Sequence, residues 1–117
     1  MSHEPRILIT AGPTLEHLDP VRGILNRSSG KMGLALARAC RSRDLPVLVL
    51  LGPVEAQIHD EFQECCQSVR YETSAELECL LSNFWPQHDL LFMAAAVSDL
   101  RPVQILDTKM PRSPVSI

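Results

Sequence analysis

Three short, uninterrupted apolar runs constrain this chain more than any other feature: Ile7-Leu8-Ile9, Val47-Leu48-Val49-Leu50-Leu51 and Leu90-Leu91-Phe92-Met93-Ala94-Ala95. A strand with one wet face alternates apolar and polar residues, whereas a strand covered on both faces reads as a continuous run. Each run ends in turn-forming residues: Ala11-Gly12-Pro13-Thr14, Gly52-Pro53 and Ala96-Val97-Ser98-Asp99. Between the first two runs the period changes. From Gly30 onward Met32, Ala35, Leu36, Ala39 and Cys40 recur at spacings of three and four, which predicts a helix burying that face. Arg38, Arg41 and Arg43 fall near its carboxyl end, where the helix dipole favours cations. Ser68-Val69-Arg70-Tyr71-Glu72 alternates weakly, as a further strand would. Thr73-Ser74-Ala75-Glu76 has the form of a capping box, opening a helix with the stripe Leu77, Leu80, Leu81 and Phe84 and ending at Pro86. Residues 15–29, with Pro20 and Gly23, read as loop; residues 54–65 fit no single pattern; the Pro-rich tail from Arg101 reads as loop.

Strand and helix thus alternate at the rhythm of βαβ units, predicting an α/β fold: a Rossmann-like three-layer sandwich with a mainly parallel sheet. The 117 residues fit one small domain, and 11 Lys+Arg against 14 Asp+Glu leave a net charge of −3. A mildly acidic chain lacks the basic face that nucleic-acid binding needs. The longest apolar run, Leu90 to Val97, is far short of the ~20 residues that span a bilayer. The start, Met1-Ser2-His3-Glu4-Pro5-Arg6, has no apolar signal region behind it, so a cytoplasmic protein is expected. Cys40, Cys65, Cys66 and Cys79 contain no C-x-x-C pair and no histidine at ligand spacing; they read as reduced thiols. His3, His17, His59 and His88 are scattered and read as solvated or loop residues.

Ligands of open α/β sheets bind beyond the carboxyl ends of the strands. The most informative stretch near such an end is Asn26-Arg27-Ser28-Ser29-Gly30-Lys31-Met32-Gly33. It brings two hydroxyls, two glycines and two cations to a helix start, where free N–H groups favour an anion. A plain helix cap with glycines for packing is the competing reading. Two nucleotide signatures fail. Leu25 and Met32 stand where a P-loop needs Gly and Ser or Thr, and Gly12 is followed by Pro13-Thr14, which breaks a G-x-G-x-x-G fingerprint. Tyr71 has Ala75 four residues on, so a Tyr-x-x-x-Lys oxidoreductase pair is missing. Asp99 could hold Mg²⁺ on a triphosphate, bond a ribose or cap its own turn. Composition alone singles out neither Arg22, Asn26 nor Lys109.

Taken in order, Ile9-Thr10-Ala11-Gly12-Pro13-Thr14, Asp19-Pro20-Val21-Arg22, Asn26 to Gly33 and Ala94-Ala95-Ala96-Val97-Ser98-Asp99 resemble the phosphopantothenoylcysteine synthetases, the phosphopantothenate–cysteine ligases of coenzyme A biosynthesis. The resemblance spans about Arg6 to Lys109 and is closer to the bacterial, CTP-using branch. It implies that 4′-phosphopantothenate is activated by CTP, with Mg²⁺, to an acyl-cytidylate that the amine of cysteine then attacks. It implies catalytic roles for Asn26, Arg22 and Lys109. The phosphate of the substrate would sit on Ser28, Ser29, Gly30 and Lys31. The nucleotide would lie along Gly12, Met93, Ala94, Ala95 and Asp99. It also implies a homodimer.

Two departures stand out. Met110-Pro111-Arg112 replaces the further lysines usual after the matching Lys109. The chain is also about half the length of a family domain, and its strand-like end at Pro114-Val115-Ser116-Ile117 reads as a cut. Residues 1–117 are accordingly expected to be the amino-terminal part of a single domain of this kind. The competing readings are a non-catalytic nucleotide- or phosphate-binding module and, more remotely, a nicotinamide-dependent oxidoreductase.

Overall fold

The computed structural model describes residues 4–98 and 103–108; Asp99, Lys109, Arg112 and the strand-like 114–117 lie outside them. In chain order the elements are β1 (Ile7–Ala11), β2 (Leu15–His17), β3 (Gly23–Leu25), α1 (Lys31–Ser42), β4 (Val47–Leu51), α2 (Ala56–Cys65), β5 (Gln67–Arg70), α3 (Ser74–Phe84) and β6 (Leu90–Met93). A 3-10 turn, Trp85–Gln87, leads from α3 toward β6.

The predicted runs become the sheet. Four strands pair in the order β5-β4-β1-β6, every pair parallel. β1 is buried along its whole length, as its unbroken apolar sequence requires. Ile7, Ile9, Ala11, Val49 and Leu51 face one side and pack with Leu34, Ala37, Ile58 and Phe62 of α1 and α2. Leu8 and Leu50 face the other side and pack with Tyr71 and Leu77, joined by Leu80, Leu81 and Phe84 of α3. The result is the expected three-layer α/β sandwich. β6 is the less covered edge. Its register sets Leu90 and Phe92 beside Ile7 and Ile9, yet α1 lies over β1 and β4, and both β6 side chains remain exposed.

Two sequence expectations are corrected and one open stretch is settled. Residues 15–29 are not simply loop, because β2 and β3 form a two-stranded antiparallel hairpin inside the β1–α1 connection. Strands of three residues are too short for periodicity to register, and all three residues of β3 are exposed. Residues 54–65, left open by the sequence, contain α2, which buries Ile58, Phe62 and Cys65 at spacings of four and three. Helix α1 forms where expected but is rotated. It buries Gly33, Leu34, Ala37 and Cys40, while Met32, Ala35 and Ala39 are exposed. Gly33 is the physical reason. A Cβ there would meet the Ala11 Cβ at 2.4 Å, so the glycine lets the helix lie directly on β1. Hydrophobicity counting treats that contact as empty.

Helix α3 opens on the expected capping box. Thr73 Oγ1 accepts from Glu76 N at 3.1 Å, and the Glu76 carboxylate accepts from Thr73 N at 3.0 Å. Replacing the cap by Thr73→Ala should cost about 1 kcal/mol of stability. Urea denaturation should show a lower midpoint at unchanged slope.

All four cysteines are free; Cys40 and Cys65 are buried and Cys79 is exposed. Burial, aided by the neighbouring Cys65 thiol, pushes Cys66 up to about 12, and its Sγ donates to Phe62 O at the end of α2. Burial likewise raises Cys40. Both stay protonated at neutral pH and serve as packing groups. Among the described residues, no helix is long and apolar enough to cross a membrane, and no group of three or more His, Cys, Asp or Glu could hold a metal ion.

Candidate functional site

The chain runs outward from β1 in both directions. β4 and β5 lie on one side of β1 and β6 on the other, and α3 crosses on the face opposite α1 and α2. The strand order therefore reverses between β1 and β6, and that switch point is where such sheets leave a crevice for ligands. The backbone there is tied closely. Ala94 N donates to Thr10 O at 2.9 Å, Ala96 N to Gly12 O at 2.9 Å and Thr14 N to Ala96 O at 3.1 Å. The pairing of β1 and β6 thus continues through a Pro13–Ala96 bridge. Two fully buried threonines brace it from the side: Thr10 Oγ1 accepts from Ala95 N at 3.3 Å, and Thr14 Oγ1 accepts from Ser98 N at 2.9 Å. Gly12 turns the chain at φ 83°, a conformation that a residue with a Cβ rarely adopts.

The hairpin delivers Arg22 and Asn26, two of the three residues to which the family resemblance gives catalytic roles. Asn26 follows β3. Its backbone N–H donates to Thr14 O at 3.3 Å, and its Nδ2 donates to Ala96 O at 3.2 Å. That second bond orients the amide, since a carbonyl accepts only from the NH₂ end. The other Nδ2 hydrogen and Oδ1 have no partner among the described residues, which leaves one donor and one acceptor of this half-buried amide open. Arg22 sits at the hairpin's turn, half-buried. Asp19, fully buried, shapes that turn: its Oδ1 accepts from Val21 N at 2.8 Å and from Arg22 N at 2.7 Å. Leu18 O accepts from Leu106 N at 2.9 Å, drawing the segment before Lys109 to the same turn.

The third contribution is the start of α1. Gly30 is its N-cap at φ 82°, with no side chain capping from that position. A Cβ on Gly30 would approach Val54 Cγ1 to 2.9 Å, so glycine serves packing as well as conformation. Ser29 Oγ accepts from Lys31 N at 3.3 Å, while the amides of Met32 and Gly33 have no acceptor among the described residues. Such a helix start attracts anions through its open N–H groups and its dipole. Ser28 is half-buried, and Ser29 and Lys31 are exposed.

Of the residues singled out in the sequence, Gly12, Ala94 and Ala95 line the switch point. Asn26 is bonded across it, and Ser28 to Lys31 follow Asn26 into α1. Met93 is largely exposed at the end of β6, its sulfur accepting from the Thr10 hydroxyl at 3.9 Å. A cleft of about 300 Å³ beside it is bounded by Leu77, Leu81, Val97 and Ser98. A concavity of about 690 Å³ lies at the opposite end of the sheet near Arg6, Pro46 and His88. It contains none of the candidate residues. Sequence reasoning missed the roles of Thr10, Thr14, Glu16 and Asp19, the buried polar residues among those described. It also missed the role of Tyr71, whose hydroxyl donates to Ala11 O at 3.0 Å and Gly12 O at 3.3 Å. Burial raises its phenol well above the ordinary value, so it remains a donor that fixes the Gly12 turn.

Fold and site together define a parallel α/β domain whose ligand crevice combines a glycine turn, an oriented asparagine amide and an open helix start. Residues 2–117 match the family described as DNA/pantothenate metabolism flavoprotein C-terminal domain, and the chain belongs to that family. It is 38% identical over 108 residues to the coenzyme A biosynthesis bifunctional protein CoaBC of Vibrio cholerae, covering 92% of this chain and 26% of that protein. Among solved structures it is similar to the C-terminal domain of a CoaBC, at TM-score 0.74 and 35% identity, covering 86% of this chain and 50% of that one. A Cab2 variant in complex with phosphopantothenate-cysteine shares the fold at TM-score 0.72 and 17% identity, covering 91% of this chain and 50% of that one. The chain thus spans about a quarter of the curated relative and half of the solved chains. The CoaBC relatives are named for coenzyme A biosynthesis, while another relative, 36% identical over 107 residues, is a cysteine/cysteine sulfinic acid decarboxylase.

Proposed function

We propose that this chain is the amino-terminal part of a phosphopantothenate–cysteine ligase domain and carries the part of its site that handles the acyl group. The observation that carries this reading is Asn26, held by Thr14 and Ala96 at the switch point with its second amide hydrogen open, one turn before the start of α1. The phosphate of 4′-phosphopantothenate sits on Ser28, Ser29, Gly30 and Lys31 at that helix start. Its carboxylate is presented to CTP lying along Gly12, Met93, Ala94, Ala95 and Asp99.

The reaction balances in two steps. A carboxylate oxygen bonds to the α-phosphorus of CTP as the bond to the β-phosphate breaks, releasing pyrophosphate. The amine of cysteine then bonds to the acyl carbon, CMP leaves with the acyl–oxygen electron pair, and the amine loses a proton. The acyl oxygen gains negative charge in the second step, and the open Asn26 N–H is a donor suited to it. Arg22 supplies a planar cation for carboxylate or phosphate, and Lys109 supplies one for the transferring phosphoryl group. Mg²⁺ enters on the triphosphate as part of the substrate. The described residues offer it no cluster of carboxylates, and no step is assigned to it. The protein acts in the cytoplasm as a homodimer.

The test is to incubate the protein with 4′-phosphopantothenate, CTP, Mg²⁺ and cysteine and follow both products. Phosphopantothenoylcysteine by mass spectrometry with one pyrophosphate per amide is the expected result, with ATP a poorer donor. Tight binding of CTP by calorimetry without turnover would instead favour a non-catalytic binding module. The absence of both from the 117-residue chain would mark it as a piece of the domain without function alone, whereas a full-length protein that released no pyrophosphate under these conditions would overturn the reading.

A further inference from the structure

We propose that Glu16 is a positioning residue: its buried carboxylate clamps the β2–β3 hairpin to the start of α3 and thereby fixes where the hairpin presents Arg22 and Asn26. Glu16 is only 3% exposed, at the centre of β2. Its Oε2 accepts from Ser74 N at 2.8 Å and its Oε1 from the Ser74 hydroxyl at 3.2 Å, so both oxygens serve one residue in the first turn of α3. The flanking residues of β2 reach the same place. Leu15 N donates to Glu72 O at 2.6 Å, and His17 Nε2 lies 2.7 Å from the Glu72 carboxylate. Three successive residues of β2 are therefore tied to residues 72–74.

The clamp is not needed to start the helix. Thr73 and Glu76 already form a complete capping box there. A buried carboxylate costs free energy to desolvate, so a second acidic group at a helix start that already has its cap serves the element that brings it. All three residues of β3 are exposed, and the hairpin is otherwise held by Thr14 and Asn26 at its two ends, by the Glu72 contacts of Leu15 and His17, and by Leu106 N on Leu18 O at its turn. With the clamp released, the hairpin loses its buried side-chain tie to α3 and moves more freely, carrying the Asp19–Arg22 turn with it. The consequence for catalysis rests on the ligase reading; the clamp itself does not.

Hydrogen exchange of this chain, read by residue-resolved NMR, tests the clamp without any assay of activity. In Glu16→Ala the amides of Leu18 and Asp19, which donate to Arg22 O, and of Asn26 should exchange about 10- to 100-fold faster. Ile9 and Leu50 in the sheet core should be unchanged. Glu16→Gln should fall between, because its amide oxygen still accepts from Ser74 N while the second carboxylate oxygen that serves the Ser74 hydroxyl is gone. Thr73→Ala, which loosens the start of α3 alone, should leave the hairpin amides as they are. Unchanged hairpin exchange in Glu16→Ala would overturn the proposal, as would equal acceleration of hairpin and core in both Glu16 variants. In the active ligase, Glu16→Gln should lower kcat more than it raises KM for CTP. Looser hairpin exchange together with no ligase activity in the full-length protein would refute the ligase reading and leave the clamp standing.

Discussion

Gly52→Ala is expected to be the most destabilising single-methyl change in the structure. A Cβ at Gly52 would lie 2.0 Å from Pro13 O and 3.0 Å from both Cζ and Oη of Tyr71. The backbone of Gly52 is not at positive φ, so the constraint is close approach and not conformation. Nor is there slack to absorb the methyl. Gly52 N donates to Ala11 O at 2.9 Å, Pro13 is bridged to Ala96, and the Tyr71 hydroxyl is committed to Ala11 O and Gly12 O. Overpacking against the Pro13 backbone on one side and the tied Tyr71 side chain on the other should cost about 3 kcal/mol or more, a large share of the ~5–15 kcal/mol that stabilises an ordinary domain. Chemical denaturation followed by circular dichroism should show the midpoint falling steeply. A loss under about 1 kcal/mol would mean that the β4 end and the Pro13 turn part more easily than their bonds imply. Because the displaced atom is Pro13 O, the same variant should also weaken ligand binding at the switch point.

This crowding explains which parts of the molecule its sequence announces. The sheet was legible because β1, β4 and β6 each carry an unbroken apolar run, which in β1 and the end of β4 reflects burial on both faces and in β6 persists although the strand lies at an exposed edge. Helix α3 was legible because its capping box and leucine stripe are local. What failed depended on distance in the chain. The face of α1 turned on Gly33 meeting Ala11, a contact made by a missing side chain, which no hydrophobic count records. The hairpin was missed because its two three-residue strands owe their place to tertiary bonds such as Leu15 N to Glu72 O, across 57 residues.

The site divides in the same way. The glycine turn at Gly12 and the start of α1 were readable from residue type and position. Asn26 was not, since an asparagine in a loop is unremarkable until Ala96 O is seen to orient it; only the family resemblance singled it out. Glu16 read as an ordinary surface charge in a stretch taken for loop. Its burial is visible only once Ser74 is placed against it.

Asn26→Asp should separate the two halves of the proposed reaction. The replacement keeps the shape of the side chain but turns an amide that donates to Ala96 O into a carboxylate that cannot. It also sets a negative charge where the acyl oxygen gains its own. The first half-reaction places its new charge on the phosphoryl group, away from that oxygen, and should slow only modestly. The second relies on the lost donor and should slow by about 10²- to 10³-fold, the usual cost of removing one donor to a developing oxyanion. Rapid-quench measurement should then show a burst of pyrophosphate equal to the enzyme present, followed by slow release of phosphopantothenoylcysteine, with the acyl-cytidylate accumulating between them. Asn26→Ala removes the donor without adding charge and should lie closer to the parent in the second step. Equal slowing of both half-reactions by Asn26→Asp would show that the residue holds the site together through Thr14 and Ala96 and leaves the acyl oxygen to another donor. The melting temperature of the variant would confirm that role if it fell in proportion.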